Sequence, residues 1–343
     1  MSEISAGSTS GSDFSGSDEV TVGSEGLYDS TDVGNISTAD SNESLSNNSG
    51  LEFTSGNQSI ESISFGRSAE TKEMNNSPLE TTSVHNQILE IPSTIEQAQK
   101  EVESYHRQSI NQILETNGKY MSEKDIIRVS NGADNIQAIE HNPMYGRTGG
   151  YLLSNGKSNI EVSAINDQQI ERSTKHETNH FASKNLEIIV PEPDKKGYTV
   201  YQTVGTRQSS WFHSTETGQN SNFTSKGRGL NEGLTTMYTN QQLSEISKDK
   251  GDAARRQGIY SHATELCEQL ENIVGKDSLK EAYYGGNLQG LESKVNSLAG
   301  DKGYESLREC MDRTLSKDYS ERIQAMKDAQ RILADMYERR KSA

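Results

Sequence analysis

The run Arg172-Ser173-Thr174-Lys175-His176-Glu177-Thr178-Asn179-His180-Phe181-Ala182-Ser183 decides how the chain is read, because it contains H-E-x-x-H. Residues four apart on a helix share a face, so His176 and His180 are able to grip one cation. Two imidazole nitrogens at about 2.0–2.1 Å make half of a tetrahedral zinc site. Glu177 sits about 100° further round such a helix. There its carboxylate flanks the open metal position and is placed to take a proton from water. At this composition the pattern arises by chance about once per hundred chains of this length, so it needs a third ligand to carry weight.

A third donor lies downstream. The run Gly229-Leu230-Asn231-Glu232-Gly233-Leu234-Thr235 puts Glu232 52 positions after His180. A His₂Glu set leaves one position for water, as catalytic rather than structural zinc sites do. With H-E-x-x-H and L-N-E-G both present, the chain resembles the gluzincin metallopeptidases, the group containing thermolysin and the zinc aminopeptidases. In the latter the third-ligand glutamate often sits in a similar Asn-Glu-Gly context. The resemblance rests on two short segments and extends by fold analogy over roughly residues 145–285. It implies that His176, His180 and Glu232 bind Zn²⁺ and that Glu177 is the general base. It also implies that a protein or peptide is the substrate. Enzymes of this group add a Tyr or His donor for the developing oxyanion. Tyr201, His213, Tyr238 and Tyr260 are all candidates for it.

Three features depart from the group. Lys175 stands where an apolar residue is usual; as an i,i+1 neighbour it is expected to point away from the His176 face. Thr174, Thr178 and Asn179 are polar where a buried helix would carry Leu or Ile. Ile170, Phe181 and Ala182 supply only a thin apolar stripe. The polar helix and the unassigned oxyanion donor motivate a competing reading, a non-catalytic interaction protein built on a degenerate zincin lobe that presents its C-terminal helices to a partner.

The chain has 343 residues and a formal net charge of −16. Residues 1–80 hold 14 Asp and Glu against one Arg and one Lys, so −12 of that charge is there. Rich in Ser, Gly, Asn and acids, this tail cannot bury enough apolar surface to offset its conformational entropy, and it is expected to be disordered. An acidic balance without a basic stripe argues against nucleic acid and anionic membrane as partners. Cys267 and Cys310 lack metal-ligand spacing and are too few for a disulfide framework, so buried free thiols in a reducing compartment are expected. Residues 1–5 have no basic or apolar signal character, and no run of about 18 apolar residues exists. The expected location is the cytoplasm. The alternative is an effector protease exported without a cleaved signal, since Ser-rich N-termini resemble such export signals.

From about residue 84 order is expected. Pro92-Ser93 opens a helix with Ser93 as N-cap and Glu96 as its capping-box partner, ended by Asn117-Gly118. His106 on it reads as a surface or boundary residue. Residues 121–140 read as one or two shorter helices broken at Asn131-Gly132 and closed by His141-Asn142-Pro143. Gly149-Gly150-Tyr151-Leu152-Leu153 and Ile160-Glu161-Val162 form a hairpin about Asn155-Gly156, either a substrate-holding edge or an ordinary surface hairpin. Asn166 or Asp167 caps the H-E-x-x-H helix. Residues 186–190 are a short apolar run, 198–204 a strand with 210–213 as its partner, and 220–229 a polar loop. Trp211 reads as a core or rim anchor. Thr235 and Thr236 share a helical face with Glu232 and are expected to orient its carboxylate. Tyr260, Ala263, Leu266, Leu270 and Ile273 form an amphipathic stripe, and further helices are predicted over 278–284, 288–298, 304–315 and 319–340. The fold class is therefore α+β. It comprises a disordered tail (1–80), a helical lead-in (81–145), a zincin-like catalytic lobe with small antiparallel β-hairpins (146–240) and a mostly helical C-terminal lobe (241–343).

Overall fold

A computed structural model describes residues 94–141, 148–256 and 260–342. The expected tail, the Ser93 cap and the Asn142-Pro143 stop lie outside the described residues. Helix α1 (Ile95–Asn117) is capped by Thr94, whose side chain accepts from the Gln97 amide at 3.2 Å. Ala98, Val102, Ile110 and Ile113 form its buried stripe. His106 joins them at 5% exposure, so the surface placement is corrected. Its Nδ1 lies 2.9 Å from Thr178 Oγ1 and its Nε2 3.3 Å from the Ala133 amide, and these partners make its burial tolerable.

After a 3₁₀ turn, α2 (Glu123–Asn131) is capped by Ser122 and stops at Gly132, which takes φ +82°. The helix predicted up to residue 140 gives way to strand β1 (Asn135–Glu140). Tertiary partners outweigh local pattern here. β1 pairs in parallel with β3 (Lys157–Ala164), and Gln99 of α1 closes its outer edge. The Gln99 amide donates to Ile136 O at 3.0 Å and accepts from Ala138 N at 2.7 Å. Strand β2 (Gly149–Ser154) pairs antiparallel with β3 through a tight turn at Asn155 (φ +52°) and Gly156 (φ +72°). The sheet order β1-β3-β2 leaves β2 at an edge.

Helix α3 (Asp167–Ala182), capped by Asn166 onto the Gln169 amide, carries the H-E-x-x-H run and packs against α1, β2 and β3. A second sheet follows at once: β4 (Asn185–Glu192), β5 (Gly197–Val204), β6 (Arg207–Ser214) and β7 (Asn220–Lys226), antiparallel in chain order. The predicted pairing of 198–204 with 210–213 is present. The predicted polar loop is instead mostly β7, because hydroxyl and amide pairs join it to β6. Ser210 and Thr224 hydroxyls meet at 2.8 Å, and His213 Nδ1 meets Asn220 Oδ1 at 2.9 Å. Trp211 stacks on Phe223 across these strands, so it anchors this sheet rather than the core.

The chain then turns helical: α4 (Arg228–Ile246), α5 (Lys248–Arg256), α6 (Ser261–Val274), α7 (Lys276–Tyr283), α8 (Leu288–Ala299), α9 (Gly303–Arg313) and α10 (Tyr319–Ser342). Leu266, Leu270, Leu279, Leu291, Val295, Leu307 and Leu333 are almost wholly buried among them. Each such side chain contributes about 1.5–3 kcal/mol of burial free energy before entropy is counted. Cys267 is buried and Cys310 half-buried, both as free thiols. No described helix is long and apolar enough to cross a membrane. The protein is thus mixed helix and sheet.

Candidate metal centre

Helix α3 and the first turn of α4 meet at three side chains. One ligand atom each from His176, His180 and Glu232 lie within 4.8 Å of one another. Glu232 Oε2 stands 3.3 Å from His176 Nε2 and 3.3 Å from His180 Nε2. The imidazole planes are nearly perpendicular, at 81° with centroids 4.9 Å apart, so their Nε2 atoms converge without stacking. Burial works to raise the Glu232 carboxyl, but His180 and His176 beside it outweigh that and hold it well below the usual carboxylate range. The set is able to hold a metal ion.

Two backbone features bring Glu232 here. The N-terminus of α4 has no cap from its own side chains. Asp312 of α9 supplies one, accepting from Gly227 N at 2.8 Å and Gly229 N at 2.7 Å. Gly233 lets α6 approach closely. A Cβ there would come 2.6 Å from Ala263 O and 2.7 Å from Cys267 Sγ. The glycine of L-N-E-G is therefore a packing requirement of the helix that carries the ligand.

Behind His180 lies a hydrogen-bonded layer. Its Nδ1 is 3.2 Å from Asn231 Nδ2 and 3.3 Å from Thr235 Oγ1. Asn231 Oδ1 accepts from the Thr206 amide at 3.0 Å, which fixes the direction of that side chain. Thr235 donates to Asn231 O at 2.7 Å and meets Tyr283 Oη at 2.7 Å. A metal on Nε2 requires the proton on Nδ1. Thr235 Oγ1 is the acceptor for it, since its own proton is spent on Asn231 O; in that tautomer Asn231 Nδ2, itself a donor, is a packing neighbour of Nδ1 and not its hydrogen-bond partner. The expectation that Thr235 and Thr236 orient Glu232 is corrected. Thr235 serves His180, and Thr236 Oγ1 is buried without a hydrogen-bond partner among the described residues.

The polar residues of α3 are buried and bonded, not solvated. Thr178 donates to Thr174 O at 2.6 Å as well as meeting His106. Asn179 Nδ2 reaches Lys175 O, Thr239 Oγ1 and Gln242 Oε1 at 2.9–3.2 Å, while Tyr284 donates to Asn179 Oδ1 at 3.0 Å. Lys175 is fully buried, and its Nζ has no hydrogen-bond partner among the described residues. Burial lowers its pKa, with Glu171 working against that. Its charged neighbours are Glu171, Lys250 and Glu245 rather than the ligand set.

Glu177 is buried and lies against Gly149, the first residue of β2. A Cβ at Gly149 would sit 2.9 Å from Glu177 Oε1, so only glycine leaves that carboxylate its place. Of the four sequence candidates for an oxyanion donor, Tyr260 stacks on His176, with centroids 6.0 Å apart and planes at 19°. The others do not gather here. Tyr201 is exposed on β5, and His213 is held by Asn220 and Tyr198. Tyr238 is packed between Tyr283 and Tyr284. Sequence reasoning did not single out Asn231, Tyr283 or Asp312. Only Asn231 carried a signal, its place in L-N-E-G. No protein-family model, curated protein or solved structure matches the chain.

Proposed function

We propose that the chain is a zinc-dependent metallopeptidase of gluzincin type that hydrolyses peptide bonds of a protein or peptide substrate. The carrying observation is the convergence of His176, His180 and Glu232 within 4.8 Å beside a buried Glu177. Two imidazoles and one carboxylate suit Zn²⁺, whereas Mg²⁺ or Ca²⁺ would favour an all-oxygen set. When bound, Zn²⁺ supplies the Lewis acidity that polarises the scissile carbonyl and makes water nucleophilic near neutral pH.

The protein's own groups do the rest. Glu177 takes the proton of the attacking water and returns it to the leaving amine. Gly149 keeps room for that carboxylate at the head of β2. As an edge strand beside Glu177, β2 accepts an extended substrate by main-chain pairing. Of the four sequence candidates for the oxyanion donor, Tyr260 is the one stacked on a member of the ligand set, His176. The competing interaction-protein reading drew on the polar α3 and on the unassigned oxyanion donor; the hydrogen bonds of Thr178 and Asn179 account for the first of these.

The test is incubation of an unfolded protein with purified, zinc-loaded wild type and with Glu177→Gln. Cleavage by the wild type, reduced about 10²–10⁴-fold in the variant, is the expected outcome. Equal rates, or no cleavage by the zinc-loaded wild type, would count against the proposal.

A further inference from the structure

The open edge of β2 does not run the length of the strand. One residue before β2, Thr148 O accepts from Ser163 N at 2.9 Å, which sets the phase of the ladder with β3. In an antiparallel pair alternate residues turn both main-chain groups to the partner. Those of Gly150 and Leu152 therefore face β3, and those of Tyr151 and Leu153 face outward. At Leu153 the outward carbonyl is occupied, accepting from Gln202 Nε2 of β5 at 2.7 Å. At Tyr151, nearer the Glu177 end, the main-chain N–H and carbonyl meet no hydrogen-bond partner among the described residues.

Gln202 is held in place from its other side. Its amide also donates to Glu187 Oε2 at 3.2 Å, and Glu187 is the residue opposite it in the β4–β5 ladder. Glu187 Oε1 in turn accepts from Gly156 N at 3.2 Å, in the turn that follows β2. The second sheet is thereby fastened across the end of the first. A strand added to β2 would set an N–H of its own about 2.9 Å from Leu153 O. The Gln202 amide fills that place, so an added strand has to stop or leave the sheet there.

We propose that Gln202 is a specificity-determining residue that limits how much of the substrate is recognised ahead of the scissile bond. About four residues pair along β2, and the next meets Gln202. This rests on the reading of the site as a peptidase and adds a substrate class: oligopeptides and chain ends with a short N-terminal segment. The scissile bond lies beside Glu177, which is packed against Gly149 at the head of β2. A peptide antiparallel to β2 runs from there towards Leu153 as it is followed back to its N-terminus. Its first residue before the bond lies opposite Gly149, and its third exchanges two hydrogen bonds with Tyr151. Its fifth would need the carbonyl that Gln202 holds. The antiparallel direction is the one in which paired residues exchange both bonds, and it is the more stable ladder.

The experiment uses synthetic peptides that share one C-terminal half and carry from one to eight residues before the scissile bond. Competition fluorescence anisotropy with the zinc-loaded Glu177→Gln chain reads their affinity without turnover, and mass spectrometry of wild-type digests gives the cleaved bond. Affinity is expected to rise up to the fourth residue and to fall about 10-fold once a sixth is present. Adding Gln202→Ala should abolish that fall and leave the affinity of the four-residue peptide unchanged. N-methylation of the third residue before the bond should weaken binding about 10-fold, and of the second not at all, because only the third turns its N–H to β2. Affinity that ignores N-terminal length overturns the proposal, as does a limit that survives Gln202→Ala or one that tracks the C-terminal half. The expected length profile with no cleavage of any peptide by wild type would instead overturn the peptidase reading alone.

Discussion

Thr235 Oγ1 lies 3.3 Å from Nδ1 of His180, so the helix that carries Glu232 also orients the second histidine of the cluster. Removing this hydroxyl leaves the ligand set intact while releasing the imidazole. Thr235→Val is expected to weaken zinc binding about 10–100-fold, with Thr235→Ser restoring most of it. Competition against a fluorescent chelator measures this. Equal affinity in the valine variant would show that the contact does not hold the ring.

Gly149 and Glu177 touch in a way that separates base placement from metal binding. The atoms that a Cβ at Gly149 meets first are Glu177 Oε1 and Cγ, at 2.9 and 3.1 Å, so Gly149→Val forces the carboxylate aside. A displacement on the order of 1 Å is expected to lower kcat about 10²-fold. Zinc content should stay at the wild-type level. Unchanged turnover would mean that Glu177 has another resting place.

His106 should shape the acid limb of stability. Burial, followed by the nearby Arg107, lowers its pKa from 6.5 to about 4 in the fold. Between these values the unfolded chain binds a proton that the native chain refuses, so stability falls as pH drops from about 6.5 towards 4. The loss is on the order of 3 kcal/mol, complete below the folded value. Urea unfolding of the zinc-free chain at several pH values, compared with His106→Gln, measures it. Identical slopes would contradict the assignment.

Lys175 carries a buried ammonium without a hydrogen-bond partner among the described residues. Lys175→Met replaces it with an apolar chain of similar length and should stabilise the fold by about 1–3 kcal/mol. Thermal unfolding of zinc-free protein reads this directly. A lower Tm in the variant would mean that the ammonium is paired in solution.

The sequence was most legible where chemistry and local geometry coincide. Two histidines four apart and an Asn-Glu-Gly segment identified side chains that the fold brings together, because helix periodicity alone fixes the first pair. The turn at Asn155-Gly156 was equally plain, since few residues take positive φ easily. What stayed hidden depends on tertiary partners. β1 was read as helix because its stabilising groups, Gln99 and β3, lie 37 and about 24 residues away. β7 looked like a loop because its pairing relies on Ser, Thr and Asn. The polar residues of α3 looked out of place on a buried helix because their partners, on α1, α4 and after α7, are distant in the sequence.

The central claim is that His176, His180 and Glu232 together hold one zinc ion. Elemental analysis by inductively coupled plasma mass spectrometry, after zinc loading and exhaustive dialysis, tests it most directly. Wild type and Glu177→Gln should each retain one zinc per chain, and His176→Ala, His180→Ala and Glu232→Ala should each lose most of it. A wild type that retains no zinc, or a Glu232→Ala variant that retains all of it, would contradict the account.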